Sequence, residues 1–124
     1  MKKKIWYPTV KRIIANNKIV LGIYKATKGD SHKVIGKYKL KPIIDESKRY
    51  GDNIEEKAAI LLRGVNRAHS FASANKRTAF FTANQFVKKN KNYWILKKRD
   101  KQRDFAIKVR EGRVSDKEIA EWLN

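Results

Sequence analysis

Cysteine is absent from the 124-residue chain. That excludes disulfides, cysteine nucleophiles and thiolate metal sites. Two histidines, His32 and His69, leave too little imidazole for a histidine-rich zinc centre. No metal-ligand set is legible. No apolar run approaches the roughly 18 residues of a membrane-spanning helix. Lys2-Lys3-Lys4 begins as an export signal does, but Pro8, Lys11 and Arg12 interrupt the apolar stretch that should follow. The chain therefore reads as soluble and cytoplasmic, with no membrane partner. Glycine and proline are sparse, at six and two. No stretch reads as a linker and no repeat is visible, so residues 1–124 are expected to form one domain.

Negative charge is scarce as well. Twelve Asp and Glu stand against 31 Lys and Arg, a formal net charge of +19. The excess falls in two blocks, 1–44 and 67–113, each at net +11, separated by a near-neutral segment. Such a surface suits a polyanionic partner: nucleic acid, nucleotide phosphates or an acidic protein. Lys88-Lys89-Asn90-Lys91-Asn92-Tyr93-Trp94, followed by Lys97-Lys98-Arg99, interleaves cations with rings, as nucleic-acid binding requires. The plainer reading is a solvated basic surface with Tyr93, Trp94, Ile95 and Leu96 in the core. With 41% hydrophobic residues, the chain has enough apolar material for such a core.

The strong periodic patterns are helical. Val10, Ile13, Ile14, Val20, Leu21 and Tyr24 place a helix near 9–27, with Pro8 in its first turn and a weak middle at Asn16-Asn17. Lys28-Gly29-Asp30-Ser31 breaks it. The segment from His32 to Leu40 partly alternates and reads as a short hairpin or extended flap, with Gly36 at its bend. Pro42 to Arg49 suits a short helix. Asp52-Asn53-Ile54-Glu55 has the form of a capping box, opening a helix that runs to about Arg67. Further helices are expected over Asn75–Val87 and Asp100–Arg110, the latter closed by Gly112. Ser115-Asp116-Lys117-Glu118 is a second capping box, ahead of Ile119, Trp122 and Leu123. The fold class is all-α, a helical bundle with a small β-hairpin.

The chemistry is concentrated between two helices. One helix ends at His69, small residues follow, and the next helix opens with Asn75, Lys76 and Arg77. Unpaired amides and the positive dipole end face this break. Small side chains at Ala72, Ser73 and Ala74 let an anion reach the backbone. His69 is placed to accept a proton from an attacking hydroxyl. The bland alternative makes His69 a capping or packing residue.

His69-x-Phe71-x-x-Ala74-Asn75-Lys76-Arg77-Thr78-Ala79 resembles the signature loop of the Fic/Doc (Fido) family, and most closely its death-on-curing branch. Tyr50-Gly51-Asp52, Glu56 to Leu62 and Val114 to Leu123 resemble the flanks of that loop, so the likeness covers about residues 40–124. It implies an all-α Fic/Doc-type bundle and a protein kinase or nucleotidyltransferase. Such enzymes transfer phosphate or AMP from a nucleoside triphosphate, here ATP, to a hydroxyl of a target protein. The resemblance also implies the roles. His69 is the general base and Phe71 the anchor of the loop. Asn75 and Arg77 hold phosphate oxygens, Lys76 takes the Doc-branch position, and the amides from Ala74 to Arg77 form the anion nest. Val34, Ile35, Gly36, Lys37 and Tyr38 correspond by position to the flap that aligns the target.

Three departures qualify this. Where active members carry the acid that binds magnesium, the chain has Ser73, a poor ligand for Mg²⁺. That puts the metal in doubt, with no acid between Glu56 and Asp100 to replace it. Either the basic residues take over part of the metal's charge, or catalysis has been lost and a phosphate- or nucleic-acid-binding module remains. The usual proline after the histidine is Ser70. Phe80 stands where adenylylating members have a second arginine. The self-inhibitory Ser/Thr-x-x-x-Glu-Gly/Asn pattern is missing too, since Ile107 lies four residues before Glu111-Gly112. That fits a toxin restrained by a separate, acidic antitoxin.

Overall fold

A computed structural model describes residues 4–23 and 32–124. Six helices form among them: α1 (Val10–Ile23), α2 (Leu40–Arg49), α3 (Ile54–Ala68), α4 (Asn75–Lys91), α5 (Arg99–Arg110) and α6 (Asp116–Leu123). A 3₁₀ turn, Lys37–Lys39, leads into α2. The expected all-α class holds. The segment 24–31, with the expected end of the first helix and the break after it, lies outside the described residues.

Helix α3 is the central element. It touches α2, α4, α5 and α6, because apolar residues cover more than one of its faces: Ala58, Ala59, Leu61, Leu62 and Val65 are all buried. Against them pack Ile13, Leu40, Phe71, Phe86, Val87, Val109, Ile119 and Leu123. Gly64 lets α2 approach closely, since a Cβ there would lie 2.4 Å from Ile43 Cγ2. Arg63 then ties three helices together. Its Nε donates to Asp116 Oδ1 at 2.7 Å, and its guanidinium also reaches Glu46.

The helix ends follow local chemistry, with two shifts of register. Pro8 precedes α1 rather than standing in its first turn, because the Thr9 hydroxyl caps it by accepting from Arg12 N at 3.1 Å. The cap of α3 is Asn53, one residue later than expected. Asn53 Oδ1 accepts from Glu56 N at 2.9 Å, and Glu56 reaches back to Asp52 N at 2.7 Å. Glu55 is thereby freed for a buried role. It accepts from Lys91 Nζ at 2.5 Å and Tyr93 Oη at 3.1 Å, joining the start of α3 to the end of α4. Burial alone would raise the Glu55 carboxyl, but these hydrogen bonds outweigh it and hold the pKa below its usual 4.5. The Ser115–Glu118 box forms as expected. Gly112, at φ +72°, closes α5 through bonds from Gly112 N to Val109 O and Arg113 N to Lys108 O.

Two other expectations are corrected. No hairpin or strand forms among the described residues. Residues 33–36 pair instead with the loop after α3. Val34 makes an isolated antiparallel bridge to Phe71, Ile35 N and Gly36 N both donate to Ser70 O, and Ala72 N donates to Lys33 O. Two N–H groups of the expected flap, those of Ile35 and Gly36, are therefore spent on the loop, and Gly36 leads into the 3₁₀ turn rather than bending a hairpin. After α4, Asn92 turns the chain into an irregular stretch over 93–98 in which side chains alternate. Ile95 faces inward, whereas Trp94 and Leu96 are 49% and 88% exposed, not core residues.

Candidate functional site

The loop between α3 and α4 begins and ends in the left-handed region, at His69 (φ +51°) and Ala74 (φ +64°). Two such residues turn the chain sharply and aim the start of α4 outward. Ala74 makes no side-chain cap to that helix, so the first-turn amides of Asn75 and Lys76 keep their capacity to bind an anion.

Several side chains fix the loop. Phe71 is fully buried and roots it in the core. Asn75 brackets Phe71, accepting from its N–H at 3.2 Å and donating to its carbonyl at 2.8 Å. From α1, the buried Asn17 donates to Ser73 O at 2.9 Å and to Thr78 Oγ1 at 3.0 Å. Its Oδ1 meets His32 Nδ1 at 2.8 Å. On the other side, Lys39 Nζ donates to Ala68 O at 2.9 Å, placing a cation at the negative end of α3 beside His69.

The loop and the first turn of α4 form one wall of a cavity of about 710 Å³, a size suited to a nucleotide. His69, Ala74, Asn75, Lys76 and Arg77 all line it. Five of the site residues expected from the sequence thus converge. The opposite wall is α5, through Arg99, Asp100, Gln102, Arg103, Ala106 and Arg110. Asn66 of α3 and Phe80 of α4 complete the lining. Ser73 and Phe71 do not line it, nor do Val34, Ile35, Gly36, Lys37 and Tyr38. Those five lie on or next to the pairing with the loop's backbone, with Ile35 and Tyr38 exposed.

His69 is exposed, and its ring makes no hydrogen bond to another described residue. It stands at the cavity with both ring nitrogens open to a substrate. Asn66 is 1% exposed, and its Nδ2 donates to Ala106 O at 3.1 Å. Its Oδ1 has no partner. A buried acceptor without a donor is costly, and this one belongs to a residue of the cavity wall.

The donor set does not fit a magnesium ion. The loop position to which the resemblance gives a metal ligand carries Ser73, and Asp100 is the sole carboxylate on the cavity wall among the described residues. Among the described residues no group of three His, Asp or Glu is arranged to hold a metal. Mg²⁺ favours carboxylate and phosphate oxygens, and this wall offers mostly cations.

Sequence reasoning missed Asn17, Asn66 and the α5 wall. Asn16-Asn17 reads as a helix-weakening pair, yet both are fully buried and tie α1 to α4, Asn16 through Thr82 and Gln85. Polarity flagged them but not their partners in the loop and α4, which are more than 50 residues away. For α5 a signal was present: Arg99, Arg103, Ala106 and Arg110 recur at four, three and four residues, one face of a helix.

A model of the Fic/DOC family matches residues 12–87, from α1 through most of α4 and including the whole loop. No curated protein matches the chain.

Proposed function

The chain belongs to the Fic/DOC family, and on that premise we propose that it transfers a phosphate or nucleotidyl group from a nucleoside triphosphate to a protein hydroxyl, as a toxin of the death-on-curing kind. The observation that carries this reading is the convergence of His69 with Ala74, Asn75, Lys76 and Arg77 on one wall of the 710 Å³ cavity. In the proposed reaction His69 takes the proton of the target hydroxyl, and the oxygen attacks a phosphorus of the bound nucleotide, breaking its bond to the bridging oxygen: ADP leaves when the γ phosphorus is attacked, pyrophosphate when the α phosphorus is. The α4 amides, Lys76 and Arg77 position the phosphates and stabilise the charge that develops on them. The nucleotide is ATP in this proposal.

Incubating the protein with ATP labelled at either the α or the γ phosphate, together with total cell protein, tests the proposal. Label from the γ position marks phosphate transfer, and label from the α position marks AMP transfer. His69→Ala is expected to lower transfer at least ~100-fold, the usual worth of a general base. No labelled protein from any nucleotide would count against transfer.

Regulation follows in the same proposal from a separate antitoxin. A second cavity of about 410 Å³ shares Arg77, Phe80 and Gln102 with the first and adds Val20, Phe81, Leu96, Lys97 and Lys98. Its apolar floor and cationic rim suit an acidic peptide with apolar side chains.

A second reading, a catalytically degenerate module that binds phosphate or nucleic acid, has one observation in its favour. Half-exposed Trp94 lies under Lys88 Nζ at 6.0 Å, and Lys89 Nζ lies 5.8 Å from the Trp6 ring. Cations beside accessible rings suit single-stranded nucleic acid. Steeply salt-dependent binding of an oligonucleotide that survives His69→Ala and is lost in Trp94→Ala supports it.

A further inference from the structure

We infer that this cavity binds its nucleotide without a divalent cation, with Arg103 and Arg110 of α5 supplying the positive charge that a metal would bring. The inference rests on reading the cavity as a nucleotide site. Arg103 and Arg110 are seven residues apart with Ala106 between them, so they share one face of α5, and all three line the cavity. Lys76 and Arg77 face the same space from α4. The cavity is therefore walled by cations on two sides, with Asp100 as its sole carboxylate among the described residues.

Electrostatics then separates the two ligands. A free divalent cation entering this space meets like charge and finds, among the described residues, one carboxylate to hold it. A triphosphate meets opposite charge, and guanidinium groups bind its oxygens in pairs. The bond that holds Arg103 in place now is weak. Its ion pair with Asp104 is 3.7 Å long, and both side chains are mostly exposed. Turning toward a phosphate therefore costs Arg103 little.

A second observation points to an organic ligand rather than inorganic phosphate. Asn66 Oδ1, buried on the cavity wall without a partner, accepts hydrogen bonds and cannot serve a phosphate oxygen. A sugar hydroxyl or a base amino group would satisfy it. The same wall thus offers cations for phosphates and an acceptor for a nucleoside.

Calorimetric titration of the full chain with ATP and with GTP, in EDTA and in excess Mg²⁺, tests this. The expected Kd in EDTA is no more than threefold above that in Mg²⁺. The Arg103→Gln, Arg110→Gln double variant should bind at least tenfold more weakly in EDTA with an unchanged thermal melt. Asp100→Asn should bind more tightly, since it removes a repulsive charge from the wall. Binding at least tenfold tighter in Mg²⁺, a double variant that binds like the parent, or loss of affinity in Asp100→Asn would each overturn the inference while leaving the nucleotide site standing. No binding of either probe in either condition overturns the nucleotide reading and this inference together.

Discussion

His69 and Ala74 hold the loop in a conformation that costs a non-glycine residue roughly 1–2 kcal/mol at each position. Hydrogen bonds from outside the loop offset that cost. Asn17 is the most consequential, because one buried amide serves Ser73 O, Thr78 Oγ1 and His32 at once. Asn17→Leu keeps the number of side-chain heavy atoms and takes a donor from the buried Thr78 hydroxyl. It is expected to destabilise the fold by about 2–4 kcal/mol in urea denaturation. It should also weaken ATP binding, since the start of α4 loses its clamp. Ser73 is a different case, because its carbonyl is structural while its side chain stands at the family's metal position. Ser73→Asp is expected to make ATP affinity rise at least fivefold on adding Mg²⁺, where the parent chain does not respond. Titration of both proteins in EDTA and Mg²⁺ checks this.

The close approach of α2 and α3 rests on Gly64 facing Ile43. In an exposed helix interior, Gly→Ala gains about 1 kcal/mol from propensity alone. Here the added methyl would enter Ile43, and overpacking costs about 1–3 kcal/mol. Gly64→Ala should therefore lower stability in chemical denaturation, and adding Ile43→Ala should recover part of the loss as a measurable coupling. Helix α4 shows another device. Asn75, Asn84 and Asn90 each bracket a non-helical residue, Phe71, Ile95 and Trp6 in turn, donating to its carbonyl and accepting from its N–H. The helices themselves were legible in the sequence because apolar spacing and caps are local properties. The loop was legible because its residues are contiguous. The asparagine brackets, the Glu55–Lys91 pair and the Val34–Phe71 bridge were not. The Asn90–Trp6 bracket, the Glu55–Lys91 pair and the Val34–Phe71 bridge join residues 36 or more positions apart, and polarity alone does not name a distant partner. The capping register of α3 failed for a related reason. Asp52 and Asn53 are both good caps with a glutamate three residues on, and only the use of Glu55 elsewhere decides between them.

Across the whole molecule, +19 sets the terms of stability. Like charge at that density opposes the compact state, and three of the twelve carboxylates are committed to pairs that join helices: Glu55 with Lys91, and Glu46 and Asp116 with Arg63. Lowering the pH acts twice, by protonating those carboxylates and by raising the net charge further. Glu55 gives the sign. Its folded pKa lies below the unfolded value near 4.5, so its contribution is complete above that value and fades as pH falls through the lower folded one. The chain should hold its stability from neutrality to about pH 5 and lose it progressively below the ordinary carboxylate range. Glu55→Gln, which keeps a hydrogen-bond acceptor for Lys91 and Tyr93, is expected to cost about 1 kcal/mol at neutral pH. The same variant should flatten the acid limb, because the group whose protonation drives it is gone. Added salt should shift the parent's acid midpoint to lower pH. It screens repulsion between the exposed cations more than it weakens the buried Glu55 pair. Denaturant melts across pH 2.5–7 at low and moderate salt measure all three outcomes. A midpoint that rises with salt would mean that ion pairing, rather than repulsion, governs the stability of this basic chain.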